Sequence, residues 1–119
     1  MNIHTALLTL SLLAMPVSAV FACDAPAAPS VPDGEGASLE DMIGAQTEIK
    51  TFQASNADYL ACVDAQMVAE QNLVDEGDEG AQERYALAAA NYNAAVSREE
   101  QVAADFNTAI RAYKAANPD

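Results

Sequence analysis

The sequence predicts an all-α protein, a long antiparallel two-helix hairpin of coiled-coil character with a polyproline II arm docked along it. Three observations carry this expectation. Residues 38–73 hold one apolar stripe at helical spacing, residues 81–116 hold a second with sevenfold spacing, and three prolines recur at every third position ahead of both.

Residues 1–22 are read as a secretory signal peptide. An apolar run from Ala6 to Met15 is broken only by Thr9 and Ser11, and Pro16 and the small-residue sites Val17-Ser18-Ala19 and Val20-Phe21-Ala22 follow it. The start of the segment has no Lys or Arg, which leaves the α-amino group and His4 as its positive charges. The run is shorter than the roughly 20 apolar residues of a membrane span, and no later segment is apolar enough, so no span is expected. Removing 22 of 119 residues leaves 97, which carry all 18 acidic and all 5 basic residues and hence the whole net charge of −13. Such a protein is expected to be periplasmic or secreted, and to avoid nucleic acid and anionic membrane surfaces. The acidity fits solubility in an exposed compartment; the alternative is an acidic cation-binding protein.

Residues 23–37 form the arm and a turn. Cys23, Pro26, Pro29 and Pro32 are three apart, and a helix with three residues per turn places them on one face. A flexible Pro-rich linker is the competing reading. Asp33-Gly34-Glu35-Gly36 reads as a turn, with two glycines available for positive φ.

The hairpin occupies residues 38–117. Helix 38–73 starts at Ser38, which can cap the backbone N–H of Asp41, with Glu40 and Asp41 favoured by the helix dipole. Met42, Ile49, Phe52, Tyr59, Val63 and Leu73 make its stripe, which Asn56 and Gln66 interrupt. The loop 74–80 holds two glycines and four acids; it lacks the alternating oxygens and the length of a calcium loop, and reads as a solvated connection. In helix 81–116, Tyr85, Tyr92, Glu99, Phe106 and Tyr113 fall seven apart, Ala89, Val96, Ala103 and Ile110 follow four residues after the first four, and Ala88, Ala95 and Ala109 flank the seam. Glu99 is the anomaly: its carboxylate either reaches water at the seam edge or pairs with a basic side chain. Asn117-Pro118 ends the helix.

A two-helix hairpin buries one stripe per helix and needs a third layer, a covalent link or a partner. Two cysteines in an oxidising compartment suggest a disulfide between Cys23 and Cys62. The reach agrees: Cys23 to Pro32 spans about 28 Å as polyproline II, and Cys62 back to Gly44 about 27 Å of α-helix. The arm would then run antiparallel to the first helix, with Pro26 and Pro29 near Tyr59 and Phe52, and Val96 and Phe106 of the second helix level with Tyr59 and Ile49. Prolines would meet aromatic rings along the groove, with Phe52, Tyr59 and Phe106 as the docking residues. The competing use of Cys23 is a lipid anchor, since Val20-Phe21-Ala22-Cys23 resembles a lipoprotein signal, although Phe21 fits that pattern poorly.

The residues missing from the chain narrow its chemistry further. The only histidine is His4, inside the predicted signal peptide, so no imidazole is left for general-base catalysis or metal binding. Ser-His-Asp and Cys-His sites are ruled out, a structural zinc site lacks ligands, and no Gly-rich phosphate loop is present. Glu99, Glu100 and Asp105 remain as a carboxylate group, but neighbours on an amphipathic helix usually form a solvated face. The expectation is a protein that is not an enzyme and has no metal or other cofactor.

Cys23-x-x-Pro26-x-x-Pro29-x-x-Pro32-Asp33-Gly34, followed by Met42, Ala45-Gln46, Lys50, Phe52, Tyr59 and Cys62, resembles small uncharacterised exported helical proteins of Gram-negative bacteria. The resemblance covers the chain after residue 22 and brings no activity with it. Prolines docked on helix aromatics also resemble the pancreatic-polypeptide fold, in architecture only. The function expected is that of a structural or protein-interaction module, with a protein partner or a second copy of itself on the exposed face. The alternatives are an acidic cation-binding protein of the periplasm and a lipid-anchored envelope protein acylated at Cys23.

Overall fold

The computed structural model describes residues 22–119; the predicted signal peptide, apart from Ala22, lies outside the described residues. Two helices follow an extended arm, α1 (Leu39–Asp75) and α2 (Ala81–Ala116), each about 55 Å long at 1.5 Å per residue. They are antiparallel. Asn56 of α1 bonds Glu99 of α2, while Glu70, further along α1, meets Arg84, further back along α2.

Helix α1 begins where the sequence places its cap. The Ser38 Oγ accepts from the Asp41 N–H at 3.1 Å, and the Asp41 carboxylate accepts in return from the Ser38 N–H at 2.9 Å. This reciprocal box satisfies two backbone donors that a helix start otherwise leaves open. The Ser38 side chain, and then the Ser38 backbone, hold the Asp41 carboxyl below the usual carboxylate range. The helix ends at Asp75, two residues past the sequence boundary. Gly77 N–H donates to the Val74 carbonyl and Asp78 N–H to the Leu73 carbonyl, with Gly77 at φ +83°. That pairing is a Schellman end, in which the residue after the cap takes left-handed backbone, and glycine does so without a Cβ penalty. Gly80, at φ +90°, opens α2 without a side-chain cap.

The core is a heptad seam built from a narrower column than the sequence suggests. On α2 the buried residues are Ala81, Ala88, Ala95, Val102 and Ala109, seven apart. The expected column of Tyr85, Tyr92, Glu99, Phe106 and Tyr113 is only half-buried, as are Ala89, Val96, Ala103 and Ile110. The physical reason is size. Alanine lets two backbones approach until the methyl groups fill the space between them, and bulky rings are then displaced to the flanks. On α1 the buried set is Met42, Ala45, Ile49, Phe52, Asn56 and Val63, which alternates steps of three and four up to Asn56 and then takes a step of seven. Ile49, Phe52 and Val102 form the central apolar cluster, with Val31 of the arm and Phe106 packed against it.

The arm closes onto this hairpin through Asp33 to Gly36. The Asp33 carbonyl accepts from the Gly36 N–H, and its side chain accepts from the Glu35 N–H. Neither Gly34 nor Gly36 takes positive φ; among the described residues only Gly77 and Gly80 do. Gly34 is needed for space instead. It is buried against α2, where a Cβ would overlap the carbonyl oxygen of Ala109 and crowd the backbone N of Tyr113.

Candidate functional site

The hairpin has two long faces, and the arm occupies the open-end half of one of them. Cys23 and Cys62 are bridged with their Cα atoms 5.8 Å apart, so the start of the arm is fixed to the middle of α1. From that tie the arm runs antiparallel to α1. Pro26 and Pro29 line a hollow with Thr51, Phe52 and Ser55, and Pro32 lines the next with Asp41, Gly44 and Ala45. Burial along the arm repeats every third residue: Cys23, Pro26, Pro29 and Pro32 are half-buried, whereas Asp24, Ala25, Ala27, Ala28 and Ser30 are exposed. Tyr59 is half-buried but is not among the residues lining the hollow of Pro26 and Pro29. Phe106 lines a hollow on the opposite side of the hairpin. Val31 is the arm residue in contact with the apolar cluster; it breaks the threefold spacing, which is why proline periodicity does not reveal it. Acylation and the bridge would need the same Cys23 sulfur, and here that sulfur is in the bridge.

Inside the seam, the two anomalies of the sequence meet. Asn56, 2% exposed, donates through Nδ2 to the Glu99 carboxylate at 2.7 Å and to the Ala95 carbonyl at 3.3 Å. Glu99 therefore bonds an amide of the other helix, which neither reading of the sequence anticipated. A buried amide needs such partners, because leaving it dry and unpaired is costly. Among the described residues no buried side-chain polar atom lacks a partner.

At the loop end, Arg84 of α2 donates to Glu70 of α1 at 2.9 Å and to Asp78 of the loop at 3.0 Å. The carboxylates of Asp78 and then Glu70 raise the guanidinium's already high pKa. The Asp78 pair orients the loop, but with side chains 46% and 42% exposed it is a weak contributor to stability.

Among the described residues, no part of the arm lies on the second long face. On α1 its residues lie about half a turn from those under the arm, at roughly 100° per residue. Near the open end of the hairpin, Leu39 and Ile43 of α1 and Phe106, Ile110, Tyr113 and Lys114 of α2 line one hollow. Leu39 is 59% exposed and Ile43 55%. Further along, Gln53 and Leu60 of α1 share a hollow with Val96, Glu99, Glu100 and Ala103 of α2. Leu39 and Ile43 are absent from the sequence-derived stripe. Their signal was the one-turn step from Leu39 to Ile43 just beside Met42, which widens an apolar stripe beyond what one partner helix can cover.

Among the described residues no cluster of His, Cys, Asp and Glu is placed to hold a metal ion, and no helix is long and apolar enough to cross a membrane. Comparisons with protein-family models, curated proteins and solved structures gave no match.

Proposed function

We propose that this chain is an exported, non-enzymatic interaction module whose arm-free hairpin face binds protein. The reading includes cleavage of residues 1–22 as a signal peptide, residence in the periplasm or outside the cell, and a polyproline II arm. The arm's threefold alternation of half-buried and exposed residues supports polyproline II. A disulfide between Cys23 and Cys62 supports an oxidising compartment.

One observation carries the functional reading. The arm covers the open-end half of one face of the hairpin, while at the same end the other face keeps Leu39 and Ile43 in water beside Phe106, Ile110 and Tyr113. Large apolar side chains grouped this way on a soluble surface mark an interaction site, whereas scattered ones do not. The net charge of −13 keeps non-specific contacts low, and the other exposed large apolar residues, Val68 and Leu87, lie outside this hollow.

A photo-activatable residue at position 43, introduced into the protein as the cell exports it, tests the reading. A discrete protein adduct is expected from position 43 and none from position 54, which is exposed on the outer side of α1. No adduct from position 43, or equal labelling from both, would contradict an interaction role for this face.

A further inference from the structure

We infer that the occupant of the arm-free face is a second copy of this chain, packed as a four-helix dimer with both loops at the same end and both arms outside. This deepens the interaction reading above and rests on it. The first argument is area. Two helices side by side, each about 55 Å long and about 10 Å across, present a footprint of about 1,000 Å², above the roughly 800 Å² per partner typical of a stable complex. The face is long enough for a second hairpin, and hairpins pair in this way because each buries only one layer alone.

The second argument is charge. In a chain with 18 acidic residues, the hollow at the open end is lined by no carboxylate, and its one charged residue is Lys114. A copy of net charge −13 can approach another only where acids are sparse, and this patch meets that condition. Further up the face the charges become complementary. Lys50, exposed, lies one turn below Gln53 on α1, and Gln53 shares a hollow with Glu100 of α2. Lys50 and Glu100 therefore stand at nearly the same level, on the outer edges of the two helices.

These placements choose the symmetry. A two-fold axis along the hairpin lays α1 of one copy over α2 of the other at equal height, so the apolar hollow meets its own image and covers Leu39 and Ile43. The same axis brings Lys50 of each copy to Glu100 of the other, and symmetry makes the contact twice. A two-fold axis across the hairpin would instead set the hollow of one copy against the loop end of the other, where Asp75, Glu76, Asp78 and Glu79 cluster.

The test is sedimentation of the disulfide-intact chain lacking residues 1–22, at micromolar to sub-millimolar concentration in physiological salt. The expected mass is twice that of the chain. Lys50→Glu and Glu100→Lys alone should each weaken the dimer by about tenfold, since each turns two rim attractions into repulsions, and the double variant should return to near the parent value. Both positions are exposed, so circular dichroism should show unchanged helix content in all variants. A monomer at every concentration overturns the proposal, and so does a dimer indifferent to the charge swaps. The position-43 cross-link separates this proposal from the interaction reading. An adduct of twice the chain mass supports the second copy, an adduct of only some other mass overturns the second copy while leaving the interaction reading intact, and no adduct overturns both.

Discussion

Asn56 shows how one polar residue can fix a long apolar seam. It is buried at the centre of the interface and bonded to Glu99 and to the Ala95 carbonyl, so sliding α1 by one heptad would strand its amide against methyl groups. A polar pair of this kind selects one register out of several that alanines alone would tolerate. Asn56→Leu should therefore cost about 1–3 kcal/mol in urea unfolding, because it removes the donor and leaves the half-buried Glu99 carboxylate unpaired. The double variant Asn56→Leu with Glu99→Leu should recover most of that loss, since both partners then become apolar. Ser38 and Asp41 give a second residue-scale outcome, with a sign set by the capping box. Asp41 has a lower carboxyl pKa in the folded chain, chiefly through its bond with the Ser38 side chain. Its contribution is thus complete above the ordinary carboxylate value and lost as pH falls through the lower, folded value. Ser38→Ala should lower the melting temperature at neutral pH and flatten its decline in the acid range, as read by circular dichroism. Position and residue type made the cap legible in the sequence. The Asn56 and Glu99 pairing was not legible, because each residue looked like an isolated defect on its own helix and only the hairpin register brings them together.

Between elements, what matters is how closely α1 and α2 approach. The sequence made the number of helices, the loop and the antiparallel arrangement legible, since stripe spacing and paired glycines report directly on the backbone. It gave the wrong central column on α2, because ring size drew attention to Tyr85, Tyr92 and Tyr113 while burial follows fit, and the fit belongs to Ala88, Ala95 and Ala109. Ala45 on α1 was passed over for the same reason. The open face was legible only in part: Ile110 stood in the seam reading, but Leu39 and Ile43 gain meaning only once the arm is known to cover the other side. If close approach is the organising contact, Ala95→Leu should push the helices apart and break the Asn56 bond to the Ala95 carbonyl. A loss of about 1–3 kcal/mol is expected from overpacking of this kind, measured by denaturant unfolding. Substitution of the exposed Ala94 by leucine should be close to neutral and serves as the control.

For the molecule as a whole, the arm is what turns a two-layer hairpin into a three-layer structure. Its tie closes a loop across 39 positions, which by the chain-entropy model stabilises the folded state by about 4 kcal/mol. Between the tie and the turn, Val31 reaches the core cluster and Gly34 rests on the α2 backbone, so the arm is anchored at both ends and in the middle. At the open end of the hairpin the arm covers one face and, among the described residues, leaves the other bare, and the interaction and dimer proposals follow from that asymmetry. The most direct measurement of this account is backbone order by NMR relaxation at Ala27, Ala28 and Val31 of the oxidised protein, repeated after reduction of the bridge. Order equal to that of α1 before reduction, and a fall in order across the arm afterwards, is the predicted result. An arm already mobile while Cys23 and Cys62 remain bridged would contradict the claim that it forms a packed third layer.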